Sequence, residues 1–377
     1  MLKETNMPRV RRIERFALPF LAGTLLTMTL PPSLRCGTAV PVSAILLLSL
    51  MIFGCMMMSR KYGTGNMPSC PLILSIMLCA AVCVLRSEAT AVTGGDGILF
   101  SEDARNPLLK LFEKFKSLID SLPLKDRENN ALLKALLTGD RSGLSEKTSQ
   151  AFRDSGAAHI LALSGLHLGI IYGIVTKCFA VLGNSPAAVK TRSALTIAAT
   201  GAYCLMVGAG PSISRAFLFI LLRELSVILG RSASLRDTLC GAFVIQVCLD
   251  AEAVRSVSFQ LSYLAIAGIA YIYPPLRDFW PSGGARRSPL RWIWNSAAVS
   301  IACQVTTGPL AWLRFGAFPE YFILTNLISL PLTGLLIPAA LLTSLLHALG
   351  ICPPVAAYAT EFLADTLRGC LEIIAST

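Results

Sequence analysis

The sequence predicts an all-α, polytopic integral membrane protein, with about ten transmembrane or re-entrant helices plus extramembrane amphipathic helices. Composition is the first reason. The 377 residues are 54% hydrophobic and 15% charged, with a mean hydropathy of +0.63, whereas a soluble domain carries about 25% charged residues. The second is the recurrence of apolar runs of spanning length, parted by Pro, Gly and basic residues. The third is the crowding of Lys and Arg into alternate loops, which accounts for most of the net charge of +11 without a nucleic-acid partner.

Residues 1–86 read as N-terminal transmembrane helices: Phe16 to Leu30, ended by Pro31-Pro32, then Val40 to Met58, then Pro71 to Leu85. No secretory signal is evident, because further spans follow the first run and no clean cleavage site ends it. Residues 87–156 mix charges of both signs and read as an extracytoplasmic, mostly helical segment. Pro107 to Asp120 puts Leu108, Phe112, Phe115 and Ile119 on one face, and Asn129 to Leu137 does the same with Leu132, Leu133, Leu136 and Leu137. Both are expected as surface or interfacial helices. Gly139 is a plausible C-cap, and Ser145 an N-cap for a short helix beyond the Gly139-Asp140-Arg141 turn.

Residues 157–350 return to the membrane pattern, with spans expected near 157–182, 193–209, 214–230, 237–251, 257–274 and 292–312. The stretch from Tyr321 to Gly350, interrupted by Pro331 and Pro338, is too long for one straight span and too short for two. It is expected to be broken or re-entrant, which is tolerated at membrane depth only against protein or a wet cavity. Residues 351–377 form a C-terminal amphipathic helix, with Glu361, Asp365, Arg368 and Glu372 making a polar stripe expected to lie on the membrane.

A cytoplasmic N-terminus puts Arg9, Arg11, Arg12, Arg15, Arg60 and Lys61 inside. Lys177, Lys190, Arg192, Arg231, Arg236, Arg277, Arg286, Arg287 and Arg291 fall on the same side, while Arg35, Arg255 and Arg314 are outside. The expected protein crosses a membrane many times, with its N-terminus cytoplasmic. Most of the twelve cysteines lie within apolar runs without a Cys-x-x-Cys pair, so they read as small buried hydrophobes. Three histidines are too few for a histidine-rich metal centre, and no phosphate loop for ATP occurs. Neither cofactor nor metal is expected.

Polar residues inside the apolar runs are the candidate site. In HILALSGLHLGIIYG, Gly165, Gly169 and Gly173 fall on one helical face, the spacing of close helix contact in membranes. Ser164 and His167 sit beside that strip, where an unpaired ionisable group costs roughly 2–3 kcal/mol or more. His159 is expected at the outer interface. Arg215 opens a helix after Gly210-Pro211-Ser212, an arrangement that attracts anions, although its length would also let it snorkel outward. Three further stripes are Ser193/Thr196/Thr200/Tyr203, Ser296/Ser300/Gln304/Thr307 and Asn326/Ser329/Thr333, and Gln260 stands amid SVSFQLSYLAIAG. One stripe alone reads as helix–helix glue, worth about 0.6 kcal/mol per hydrogen bond. Several together with Arg215 and His167 point to a shared hydrated cavity. Tyr203, Phe259 and Tyr263 are candidates for stacking on bases, although aromatic side chains in spans are usually packing.

The run GDRSGLSEKTSQAFRDSGAAHILALSGLHLG, Gly139 to Gly169, resembles the signature of the ComEC-type competence proteins. GPSISRAF (Gly210 to Phe217), FQLSYLA (Phe259 to Ala265), QVTTGPLAWLRFGAFP (Gln304 to Pro319) and NLISLPL (Asn326 to Leu332) are similar to the family's later blocks, in the same order. The resemblance covers about 130–350. It implies an inner-membrane channel passing single-stranded DNA during natural transformation, lined or gated by Ser164, His167, Arg215, Gln260, Gln304 and Asn326. Gly165, Gly169, Gly173, Asp140 and Arg141 would support the path. Longer relatives add an OB-like domain and a metallo-β-lactamase-like nuclease domain. The 87–156 segment is too short for the first, and no His-x-His-x-Asp-His zinc signature marks the second. The expected protein is therefore not an enzyme. A separate DNA receptor, a nuclease and a cytoplasmic motor or strand-binding proteins would be partners, because inward movement of phosphates opposes the membrane potential at about 2.3 kcal/mol per charge per 100 mV.

Two other classes compete. A transporter of another solute, or a degenerate scaffold, would leave DNA uptake unaffected on deletion. An intramembrane serine hydrolase would use Ser164 in Ala162-Leu163-Ser164-Gly165, similar to the Gly-x-Ser-Gly of rhomboid proteases. Against it, Ala162 replaces the first glycine, His347 is the only partner histidine from another span, and His167 on the same helix is badly placed to deprotonate Ser164.

Overall fold

A computed structural model describes residues 102–231, 234–250, 252–279, 289–316 and 321–376. The three spans expected before residue 87 lie outside them. Every regular element among the described residues is helical. In chain order these are α1 (Glu102–Asp120), α2 (Arg127–Thr138), α3 (Glu146–Asp154), α4 (Ala158–Leu161) and α5 (Gly165–Phe179). Then follow α6 (Pro186–Met206), α7 (Pro211–Ile228), α8 (Leu235–Leu249) and α9 (Val257–Ala267). A π-helical turn, Gly268–Ile272, leads into α10 (Tyr273–Asp278), and α11 (Pro289–Phe315), α12 (Phe322–Ala348) and α13 (Pro354–Ala375) complete the order. Three of these stretches are long and apolar enough to cross a membrane, Gly165–Leu182, Val257–Asp278 and Phe322–Ala348. The larger count expected from the sequence is not reached among the described residues.

The chain divides into two compact units, residues 1–99 with 233–260 and residues 100–232 with 261–377. In the first, Ser234 and Asp237 form a capping box that starts α8, and the Phe243 and Phe259 rings lie 5.8 Å apart. The division falls within α9, after Gln260, and the other numbered helices belong to the second.

In the second unit local chemistry sets the helix ends as expected. The Asp126 carboxylate accepts from Glu128 N–H to start α2, Gly139 ends it at φ +78°, and Ser145 accepts from Thr148 N–H to start α3. Buried Asn130 donates to Ile119 O at 2.9 Å and Leu122 O at 3.2 Å, satisfying carbonyls at the end of α1. The expectation of surface helices fails for α2. Leu132, Leu133, Leu136 and Leu137 are at most 1% exposed, in a core shared with Ile119, Phe152, Leu336, Ile337, Leu367 and Leu371. Each fully buried leucine contributes about 1.5–3 kcal/mol relative to exposure, so this core holds residues 119–161 firmly onto α12 and α13.

One further expectation is corrected. Residues 321–350 are not broken: α12 runs through Pro331 and Pro338 as one helix of 27 residues. Each proline removes one backbone bond, and the packing of α12 on α2 and α13 offsets that loss. The polar stripe of α13 meets the charged segment upstream of the apolar block. Glu361 accepts from Lys125 N–H at 2.9 Å and Asp126 N–H at 3.1 Å, and Asn129 donates to Asp365 at 2.9 Å. Arg368 reaches Asp126 at 2.7 Å and Lys147 reaches Glu372 at 3.0 Å. The stripe is a docking face for the charged segment. Hydrogen bonding to Glu128 N–H, and then Arg368, hold the Asp126 carboxyl below its ordinary range.

A candidate polar site around the break before α5

The span expected over 157–182 is interrupted. The chain leaves α4 at Leu161, extends through Ala162 and restarts at Gly165, with Ser164 as N-cap. Ser164 Oγ accepts from Leu166 N–H at 3.3 Å, and Ser164 N–H donates to His167 Nδ1, also at 3.3 Å. The two residues form a reciprocal capping box in which imidazole stands where Glu or Gln is usual. Because Nδ1 accepts, the ring proton belongs on Nε2. His167 is 1% exposed, and Nε2 has no hydrogen-bond partner among the described residues. The expectation that His167 is badly placed for Ser164 is corrected, since Oγ and Nδ1 stand 3.1 Å apart. Their contact is a helix cap, in which Ser164 Oγ already accepts a backbone N–H.

Asp140 and Arg141 support this break. Arg141 Nε donates to Leu161 O at 3.1 Å, holding the last carbonyl before the chain straightens. Asp140 accepts from Ser142 Oγ at 2.7 Å and Ser142 N–H at 3.0 Å, and lies 3.4 Å from Lys116. The Ser142 hydrogen bonds, more than Lys116, bring its pKa down to about 2.

The predicted glycine strip is only partly used. A Cβ on Gly165 would meet Ala216 at 3.5 Å, but among the described residues nothing lies within 4 Å of one on Gly169 or Gly173. The close crossing is elsewhere: a Cβ on Gly268 would stand 2.4 Å from Ala302 O and 2.7 Å from Thr306 Oγ1, so the π turn lies directly on α11.

Arg215 does not snorkel. It is 3% exposed, and its Nη2 donates to Ser262 Oγ at 2.9 Å. One turn further, Phe219 and Tyr263 stack with ring centres 6.0 Å apart. Gln260 belongs to the other unit, where its side-chain amide donates to Val254 O at 2.9 Å. Gln304 and Asn326 are half-buried on α11 and α12. Within the second unit, Ser164 contacts His167 and Arg215 contacts Ser262. Several stripe hydroxyls bond their own helices: Thr200 to Thr196 O at 2.7 Å, Ser300 to Ser296 O at 3.1 Å and Thr307 to Cys303 O at 2.8 Å. Thr196, Ser329 and Thr333 are different, with buried hydroxyls that have no partner among the described residues.

Sequence reasoning missed three partners. Tyr172 OH donates to Glu224 at 2.6 Å, and Glu224 is 6% exposed. A carboxylate in the apolar run LLRELS was the signal for it. Tyr203, named as a stripe member and a stacking candidate without a partner, donates to Leu137 O at 2.7 Å and ties α6 to the end of α2. Ser262 had no signal beyond its place in the FQLSYLA block. His347 stands 3.2 Å from Ser121 Oγ, and His159 is exposed with Nδ1 3.1 Å from Gly156 O.

Described residues that are helical in every regular element, with span-length apolar helices and a buried guanidinium, carboxylate and imidazole, mark a membrane protein with polar chemistry between its helices. The Competence protein family model matches residues 136–377, and the chain belongs to that family. It is similar to ComE operon protein 3 of Bacillus subtilis (strain 168), 22% identical over 237 residues, 63% of this chain and 28% of that protein. It is also similar to the uncharacterized protein YcaI of Escherichia coli (strain K12), 23% identical over 242 residues, 63% of this chain and 31% of that protein. The chain thus matches less than a third of the length of these curated relatives. No solved structure matches.

Proposed function

We propose that the chain is an inner-membrane conduit for single-stranded DNA in natural transformation, not an enzyme, with its N-terminus cytoplasmic. In this reading the path runs among about ten transmembrane or re-entrant helices. A separate receptor and nuclease deliver the strand, and a cytoplasmic motor or strand-binding proteins draw it in. The observation carrying the reading is Arg215. Its buried guanidinium sits just past the first turn of α7, near the positive end of the helix dipole, and it is held by Ser262. That contact joins the GPSISRAF and FQLSYLA blocks. A fixed positive group in a low-dielectric surround is suited to pass phosphates one at a time.

The test follows labelled single strands into the cytoplasm of a deletion strain complemented with wild-type, Arg215→Ala or His167→Gln protein. Loss of arrival in Arg215→Ala, at wild-type protein level, supports the conduit. Normal arrival without the protein favours a transporter of another solute or a scaffold, the reading that the self-bonded stripe hydroxyls support. Loss in Ser164→Ala but not in Arg215→Ala favours a hydrolase, the reading that the Ser164–His167 contact supports.

A further inference from the structure

The α12–α13 hairpin shows an inside-out distribution of polarity. Ser121 touches His347 near one end of α12, and Ser155 O accepts from Thr325 Oγ1 at 2.7 Å near the other. The 22 residues between Thr325 and His347 span about 33 Å at 1.5 Å per residue. The segment 121–155 therefore runs beside α12 over the full thickness of a hydrocarbon core, about 30 Å. Its surface carries exposed Arg127, Glu146, Arg153 and Asp154. Were α12 to stand along the bilayer normal, these charges would be distributed through the apolar slab.

The opposite side is apolar. On α12 the faces that meet the shared core, at Thr325, Ser329, Leu336 and Ala340, lie across the helix from Leu324, Leu335 and Leu342, which are 47–59% exposed. On α13 the core face at Thr360, Ala364 and Leu371 lies across from Val355, Tyr358 and Phe362, which are 60–76% exposed. Both core faces meet residues of α2, so both apolar stripes point away from the charged layer. Three tiers result: charges outermost, a shared core, and an uncovered apolar stripe.

We infer that the α12–α13 hairpin rests lengthwise in the interfacial layer of the bilayer. Its apolar stripes lie against acyl chains and residues 121–155 on its aqueous side, so α12 does not cross the membrane despite its length. This placement keeps the exposed charges in water and the exposed leucines in lipid at once. It is independent of whether DNA is the substrate.

The full chain, in intact spheroplasts and in proteoliposomes, provides the test. Leu324→Cys and Leu349→Cys, at opposite ends of α12, are treated with a membrane-impermeant maleimide and labelled peptides identified by mass spectrometry. Labelling of both from the same side of the membrane is expected. Labelling from opposite sides overturns the inference. A fluorophore on Leu335→Cys or Phe362→Cys reports depth against lipids carrying a quencher high or low on the acyl chain. Stronger quenching by the shallow quencher at both sites is expected. Stronger quenching by the deep one at Leu335 overturns it, as does no quenching, which would mean that another copy or another part of the chain covers the stripe. Native Cys352, at the hairpin tip, gives the sidedness readout without any change in the helices.

Discussion

Replacing His167 separates its structural contribution from any role in transport. His167→Ala removes the acceptor for Ser164 N–H, a capping contribution of about 0.5–2 kcal/mol, and leaves a void where a ring 1% exposed had been. Together these cost about 2–4 kcal/mol. His167→Gln keeps an acceptor at the third helical position, the usual partner of a serine cap, and no longer positions a ring N–H whose isolation costs about 1–3 kcal/mol. The glutamine variant is therefore expected within about 1 kcal/mol of wild type, well above the alanine variant. Denaturant-induced unfolding of the purified protein in detergent micelles, followed by helical circular dichroism, measures the order. If glutamine destabilises as much as alanine, the capping box is not what His167 contributes. If glutamine is stable yet blocks strand arrival, the imidazole itself serves transport.

Gly268→Ala places a methyl 2.4 Å from Ala302 O and should lose about 2 kcal/mol or more, seen as a lower thermal midpoint in detergent. Tyr172→Phe leaves the buried Glu224 carboxylate without its donor and should cost about 1.5–3 kcal/mol, while Tyr172→Phe with Glu224→Gln should recover part of it. Glu361→Ala frees two backbone donors at Lys125 and Asp126. It should raise amide hydrogen exchange across 121–147 while leaving exchange in α6 and α7 unchanged. Asp140 titrates at about 2, below its ordinary range, so its contribution is complete above about pH 4 and fades as pH falls toward 2. Exchange at Ser142 and Leu144, followed from pH 6 to pH 2.5 in wild type and in Asp140→Asn, should converge at the acid end.

How much of this was legible from the sequence depended on range. Ser145, Gly139 and the leucines of α2 act on neighbours a few residues away, so the helix ends and the apolar face could be read directly. The break at Ser164 was local too, but its signature is Ser-x-x-His, not Ser-x-x-Glu, and the glycines pointed instead to an uninterrupted helix. Pro331 and Pro338 suggested a break that does not occur, because tertiary packing on α2 and α13 outweighs the missing backbone bonds. The polar residues of the membrane block were found without their partners: Arg215 and Glu224 are buried as the physics of apolar surroundings requires, yet nothing local names Ser262 or Tyr172. The stripe on α13 is legible as polar, but not its partners, because its complement, Lys125 to Lys147, lies far upstream.

That distance bears on how the chain is made. Lys125 and Glu361 are 236 positions apart, so at about 5–20 residues per second the upstream half of the pairing emerges roughly 12–50 s before its counterpart. During that interval the leucines of α2 have neither α12 nor α13 to cover them. Whatever handles the nascent chain must shelter an oily, charged stretch until translation is nearly over, and a ribosome stalled before α13 would release a product unable to close its own core.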